Sequence, residues 1–128
     1  MRTLDTSFLI DLFQGDEMAR AVSADFDSSG ESTSVPAPAL AEFMLGANVA
    51  GGKYFARALE FASNIDILPV DRETAMIAAR VGADLLQKGQ RTGIVDALIA
   101  AASIQNNAIL VTRDKAFSNI AGLAVQYY

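Results

Sequence analysis

The stretch from Thr92 to Asp114 most constrains what this chain can fold into, because a helical pattern leads directly into a buried-strand pattern. Its first part has apolar residues at steps of three and four, which predicts a helix with one continuous buried stripe. The stripe residues are Ile94, Ala97, Leu98, Ala101 and Ile104. After the Asn106-Asn107 turn, the apolar run Ala108–Val111 is typical of a parallel strand covered on both faces.

Two acidic residues frame this stretch. Asp96 falls in the first turn of the predicted helix, where the helix amino end can orient a carboxylate. Burying that carboxylate is costly without a cation or hydrogen-bond donors. Asp114 follows the predicted strand after Thr112 and Arg113. Both acids are expected to face one crevice at the carboxyl edge of a sheet, where open α/β sheets place their sites.

Strand-like runs alternate with helical patterns along the rest of the chain, which predicts one α/β domain over residues 1–128 with a mostly parallel sheet between helices. Pro69 cannot donate to a strand ladder, so its strand is expected at a sheet edge. Thr6 and Ser7 are expected to cap the first helix, and Asp11 to lie at the surface. The predicted strands are Arg2–Leu4, Ser34–Val35, Ile65–Val70, Ala108–Val111 and Leu123–Tyr127. The predicted helices include Phe8–Phe13, Glu17–Phe26, Ala39–Ala50, Lys53–Ser63 and one from Asp71 to about Lys88.

The composition limits the chemistry that the chain can perform. It has no cysteine and no histidine, which excludes thiolate nucleophiles, zinc-thiolate sites and imidazole as a base or ligand. Its net charge of −5 argues against nucleic-acid binding unless a local basic patch decides it. No apolar run approaches the roughly 20 residues of a membrane span, so we expect a cytoplasmic protein with no membrane contact.

Four acids share one kind of position in the predicted fold. They are Asp5, Glu42, Asp96 and Asp114, and each lies after a strand or early in a helix. Taken singly, each is explained well enough as a cap or a turn residue. In a parallel sheet, however, strand carboxyl ends and helix amino ends lie on the same side, and four carboxylates there need a counter-charge. A hard cation such as Mg²⁺ or Mn²⁺ fits that need.

The segments around these acids resemble the PIN-domain nucleases, most closely the small VapC-type toxins of toxin-antitoxin pairs. The segments are LDTSFLIDLF, PALAEFMLG, GIVDALIAAAS and LVTRDKAF, and the resemblance covers essentially the whole chain. It implies a sheet of order 3-2-1-4-5 and a metal-binding quartet of Asp5, Glu42, Asp96 and Asp114. Thr112 would orient the quartet, and Thr6 would lie near the metal.

The resemblance also implies an activity and partners. With no histidine or cysteine, an RNA phosphodiester would be cut by a metal-activated water, leaving a 5′-phosphate and a 3′-hydroxyl. RNA as the substrate, a cognate antitoxin and a homodimer follow from the family. Four basic residues near the crevice are predicted to face the RNA, although a solvated loop explains Lys88 equally well. They are Lys88, Arg91, Arg113 and Lys115.

Two other functions are compatible with parts of the pattern. A PIN nuclease that processes RNA without a toxin role would carry the same acids. A receiver-type phosphoacceptor domain shares the sheet and an acidic pocket, but it requires an acid pair after its first strand, where Asp5 stands alone.

Overall fold

The computed structural model describes residues 1 to 128 and contains one five-stranded sheet. Its strands are β1 Arg2–Leu4, β2 Thr33–Pro36, β3 Asp66–Leu68, β4 Ile109–Val111 and β5 Ala124–Gln126. They are ordered β3-β2-β1-β4-β5, and every neighbouring pair is parallel. The predicted α/β class and the order 3-2-1-4-5 are confirmed.

Six α-helices and one 3₁₀ helix connect the strands. They are α1 Thr6–Phe13, α2 Glu17–Ser29, α3 Ala37–Ala50, α4 Gly52–Asn64, α5 Arg72–Gln87, α6 Ile94–Gln105 and the 3₁₀ helix Lys115–Asn119. The second helix continues past its predicted end at Phe26 and stops where Gly30 adopts a left-handed φ of 68°. No helix combines the length and the apolar character that crossing a membrane requires.

The strand next to Pro69 lies at a sheet edge, as predicted. β3 pairs only with β2, and Pro69 follows directly after its last residue, Leu68. The strand is shorter than the predicted run Ile65–Val70. Since Pro69 has no N–H to donate, the ladder ends before it.

The helix α6 is buried on several sides rather than along one stripe. Its buried residues are Ala97, Ile99, Ala100, Ala101, Ala102 and Ser103. These small side chains let α6 pack against α5, α3, β2 and β4 together. The predicted stripe is wrong at Ile94, which is 67% exposed at the start of the helix, in a shallow groove beside Leu86.

The first helix begins earlier than predicted and is not capped by hydroxyls. Asp5 is the residue before α1, and its side chain makes no capping hydrogen bond. Thr6 and Ser7 lie inside the helix, where Thr6 donates to Glu42 and Ser7 donates to Asp5. The capping prediction was therefore wrong, because both hydroxyls donate to carboxylates, and the one backbone N–H that Ser7 accepts belongs to Arg113 rather than to the first turn of α1.

The register of the central strands gathers the segments that carry the predicted acids. Leu4 of β1 pairs with Val111 of β4, and the Asp5 N–H donates to the Val111 carbonyl at 3.1 Å. Asp5 and Thr112 therefore leave neighbouring strands at the same edge. The first turns of α3 and α6 start at this carboxyl edge too, as parallel topology requires.

Candidate active site

Asp5 is the buried centre of the site. Its Oδ2 accepts hydrogen bonds from the Thr112 hydroxyl at 2.7 Å and the Ser7 hydroxyl at 2.9 Å. Burial raises the pKa of Asp5 above its ordinary value, although bonds from Thr112, Ser7 and nearby backbone N–H groups act in the opposite direction. No side chain donates to Oδ1. Asp5 is thus a fixed carboxylate with one oxygen free of side-chain partners.

The pKa of Asp96 depends on the other three acids. Its pKa is raised to about 6, first by burial and then by the charges of Asp5, Glu42 and Asp114. The charges of Asp5, Glu42 and Asp114 therefore all act on Asp96. None of the four forms an ion pair with lysine or arginine.

Glu42 and Asp114 lie at the solvent side of the group. Glu42 projects from α3, and its Oε1 accepts the Thr6 hydroxyl at 2.8 Å, which ties α3 to α1. Asp114 accepts the Ala116 N–H at 2.9 Å and so caps the 3₁₀ helix. Asp114 therefore also has the capping role that its position alone suggested.

Thr112 connects the start of α1 to the segment that follows β4 through one buried hydroxyl. Its Oγ1 donates to Asp5, lies 3.3 Å from the Ser7 hydroxyl and accepts the Asp114 N–H at 3.0 Å. Removing this hydroxyl would leave buried polar groups without partners. Thr112 thus fixes the relative positions of Asp5 and Asp114.

The donor chemistry of the group fits a hard divalent cation. Four carboxylates without a basic partner are the oxygen ligands that Mg²⁺ and Mn²⁺ prefer. As placed, no three of the chain's acidic side chains form a group that could hold an ion. Binding would therefore have to draw the carboxylates closer, and a cation would offset the burial and the neighbouring negative charges that raise the pKa of Asp96.

The four predicted basic residues have different surroundings. Arg91 shares a cleft of about 340 Å³ with Asp96, which is the placement expected of a phosphate contact. Arg113 is ion-paired with Asp11 at 2.9 Å. The Lys115 ammonium lies 4.0 Å from the centre of the Tyr127 ring. Lys88 ends α5 and is exposed, with no side-chain hydrogen bond or ion pair.

The sequence analysis assigned Asp11 to the surface, and this was wrong. Asp11 is only 8% exposed and accepts bonds from both Arg113 and Tyr128. Its spacing of four from Ser7 places both on one helix face, and that was the available signal. The partners themselves could not be foreseen, because Tyr128 is 117 positions away in the sequence.

Comparison with known proteins identifies the family. The family model for the PIN domain matches residues 3–123. The chain belongs to the PIN domain family. Over 49 residues it is 41% identical to a VapC ribonuclease from Pyrococcus furiosus, a match that covers 38% of this chain and 33% of that relative.

Solved structures share the PIN fold along nearly the full chain. DNA-bound VapBC from Salmonella typhimurium superposes with a TM-score of 0.88 at 22% identity, covering 98% of this chain and 96% of that one. VapBC-5 from Mycobacterium tuberculosis, a member of the VapBC family of toxin-antitoxin systems, gives 0.72 at 27% identity, with coverage of 98% and 94%. The matched PIN region, residues 3–123, contains all four predicted acids.

Proposed function

We propose that this PIN domain is a metal-dependent endoribonuclease and the toxin of a toxin-antitoxin pair. The observation that carries the proposal is the raised pKa of Asp96, caused by burial and three further carboxylates with no basic partner among them. Ionising all of these acids together costs free energy, and a bound cation would offset that cost. The similarity to a VapC ribonuclease supports RNA as the substrate.

In this proposal, Asp5, Glu42, Asp96 and Asp114 hold Mg²⁺ or Mn²⁺. Bound there, such an ion would provide an activated water and would offset the charge that develops on the phosphate. Thr112 and Ser7 keep Asp5 oriented through Oδ2, and Thr6 orients Glu42. The hydroxyls thus position ligands, and this is the role we assign to Thr6 and Thr112.

The chain has no histidine or cysteine to act as a base or nucleophile. Attack by water with departure of the 3′ oxygen would leave a 5′-phosphate and a 3′-hydroxyl, whereas attack by the ribose 2′-hydroxyl would leave a cyclic phosphate. We propose that the four basic residues predicted to face RNA contact it. Arg91 is supported best, since it shares a cleft with Asp96.

We propose a cognate antitoxin as the partner, because solved relatives are VapBC toxin-antitoxin complexes. A basic segment would complement a chain of net charge −5 and its four unpaired acids. Since the substrate is RNA, we propose that the protein acts in the cytoplasm. A homodimer stays a prediction.

An RNA-processing PIN nuclease without a toxin role would use the same site. Expression in a bacterial host separates the two, because a toxin stops growth unless its antitoxin is present. The receiver-type alternative is disfavoured by the PIN family match and by the single acid that follows β1.

The proposal is tested by incubating purified protein with a mixed RNA pool, with EDTA or with Mg²⁺ or Mn²⁺. We expect cleavage only with metal, with 5′-phosphate ends, and a loss of about a hundredfold or more in Asp5→Asn and Glu42→Gln. Asp84→Asn, at an exposed position of α5, is the matched control and should cleave normally. Cleavage in EDTA, or equal cleavage by all variants, would refute the proposal.

A further inference from the structure

A second carboxylate site lies beside the quartet and is fully occupied by the chain's own side chains. Asp11 Oδ1 accepts the Arg113 Nη1–H at 2.9 Å, and Asp11 Oδ2 accepts the Tyr128 hydroxyl at 2.7 Å. The Tyr128 ring packs edge-on against Phe8, with ring centres 5.2 Å apart. Asp11 is thus held between α1 and the end of the chain, with both oxygens satisfied.

One nitrogen of the Arg113 guanidinium is hydrogen-bonded, and the other two have no partner. Its side chain is 58% exposed, and Nη1 to Asp11 is its only side-chain hydrogen bond. The backbone of Arg113 lies between Thr112, which binds Asp5, and Asp114 of the quartet. The guanidinium therefore carries unused donors and belongs to the residue directly before Asp114.

We infer that Asp11 and Tyr128 are positioning residues that hold Arg113 as a phosphate contact for the RNA strand entering the site. This inference rests on the proposed nuclease function. A guanidinium with one end anchored retains a planar pair of donors that matches phosphate oxygens. It loses less side-chain freedom on binding than a mobile arginine would.

The pairing of Arg113 with Asp11 keeps the guanidinium away from the four acids. Asp11 has its own partners, Arg113 and Tyr128, and neither of them forms a side-chain hydrogen bond with any of the four acids. An untethered guanidinium would be drawn to Asp114 or Asp5, where it would neutralise the acids that bind the cation. Pairing with Asp11 keeps the positive charge beside the quartet and leaves the four carboxylates unpaired.

Tyr128 contributes a donor that does not ionise near neutral pH. Burial first, and then its bond to Asp11 and the charge of Asp11, raise the pKa of Tyr128 above its ordinary value. Its hydroxyl therefore remains protonated and continues to donate to Asp11. The second Asp11 oxygen is occupied, which leaves Arg113 a single oxygen to bind and a single orientation.

The inference is tested by RNA binding in an Asp96→Asn background with Mg²⁺, where cleavage is expected to be at least about a hundredfold slower. Fluorescence anisotropy with a labelled single-stranded RNA gives the affinity and its salt dependence. We expect Arg113→Ala to weaken binding roughly tenfold and to reduce the salt slope by about 0.7. Asp11→Asn and Tyr128→Phe should each weaken it about threefold. Arg80→Ala removes an exposed arginine of α5 and is the matched charge control.

A double-mutant cycle separates positioning from a purely structural role. In an Arg113→Ala background, Asp11→Asn and Tyr128→Phe should have no further effect on RNA affinity, since they act through Arg113. Equal weakening by Arg113→Ala and Arg80→Ala, or additive effects of Asp11→Asn and Arg113→Ala, would overturn the inference while leaving the nuclease proposal intact. Absence of RNA binding and cleavage by the wild type would overturn both. If Asp11→Asn does not fold, the same double-mutant cycle with Tyr128→Phe and Arg113→Ala decides the outcome.

Discussion

Replacing Asp96 by asparagine is expected to stabilise the metal-free protein at pH 7 while abolishing RNA cleavage. In the folded chain the pKa of Asp96 is about 6, against 3.8 for an unperturbed aspartate. The folded state therefore holds its proton more tightly than the unfolded state between these two pH values. Stability falls as pH rises through that window, and above pH 6 the full cost of ionised Asp96 is present.

Asparagine removes this cost, because it is neutral and nearly the same size. After discounting for the solvent screening of a half-buried group, we expect a gain on the order of 1–2 kcal/mol at pH 7. Urea denaturation in EDTA from pH 4 to 8 measures it: the wild-type free energy of unfolding should decrease from pH 4 to 6.5, and the variant's curve should be flatter. Asp84→Asn serves as the control without a stability gain.

The same substitution should lower RNA cleavage by about a hundredfold or more, since it removes a predicted metal ligand. A variant that gains stability but loses activity indicates a functional site whose residues reduce the stability of the fold. A variant that is less stable than the wild type at pH 7 in EDTA would contradict our account of the acidic group.

Replacing Phe43 by alanine is expected to be strongly destabilising at a site without chemistry. Phe43 is 1% exposed and packs edge-on against Phe13 at 4.9 Å and Phe61 at 6.2 Å between ring centres. This cluster joins α1, α3 and α4. Truncation of a buried aromatic residue should reduce the free energy of unfolding by about 3–5 kcal/mol.

Leu45→Ala on the same helix is the matched control, because Leu45 is 68% exposed. It should change the free energy of unfolding by less than about 0.5 kcal/mol. Thermal and urea denaturation measure both variants. Phe43→Ala should also reduce activity, since α1 and α3 carry Thr6 and Glu42, whose hydrogen bond needs both helices in place. Similar stability losses in the two variants would show that the aromatic cluster does not hold these helices together.

Local patterns were sufficient to predict a parallel sheet with β3 at its edge, whereas the strand order came from the family resemblance. Pro69 indicated an edge strand because its missing N–H is a property of the residue alone, and β3 lies at the edge. Asp5 and Asp96 were placed on one side because strand ends and helix starts meet at one edge of any parallel sheet. Both arguments need no knowledge of tertiary contacts.

Predictions that depended on distant partners failed. Ile94 fits the periodicity of a buried stripe, but the first turn of α6 opens to solvent beside Leu86. Threonine is a common helix cap, yet the Thr6 hydroxyl donates to Glu42, 36 positions away. Asp11 looked like an ordinary surface acid because its two partners come from the last part of the chain. Side-chain partners of this kind are set by the folded structure and leave no local pattern.

Cation binding by the four acids tests the central claim most directly. Mn²⁺ binding to metal-stripped protein at pH 7 can be followed by electron paramagnetic resonance for the wild type, the four neutral variants and the Asp84→Asn control. We expect the wild type and the control to bind Mn²⁺ with equal affinity, and each quartet variant at least about tenfold more weakly. The four variants are Asp5→Asn, Glu42→Gln, Asp96→Asn and Asp114→Asn. Wild-type protein that binds no Mn²⁺, or quartet variants that bind it as tightly as the control, would contradict the account.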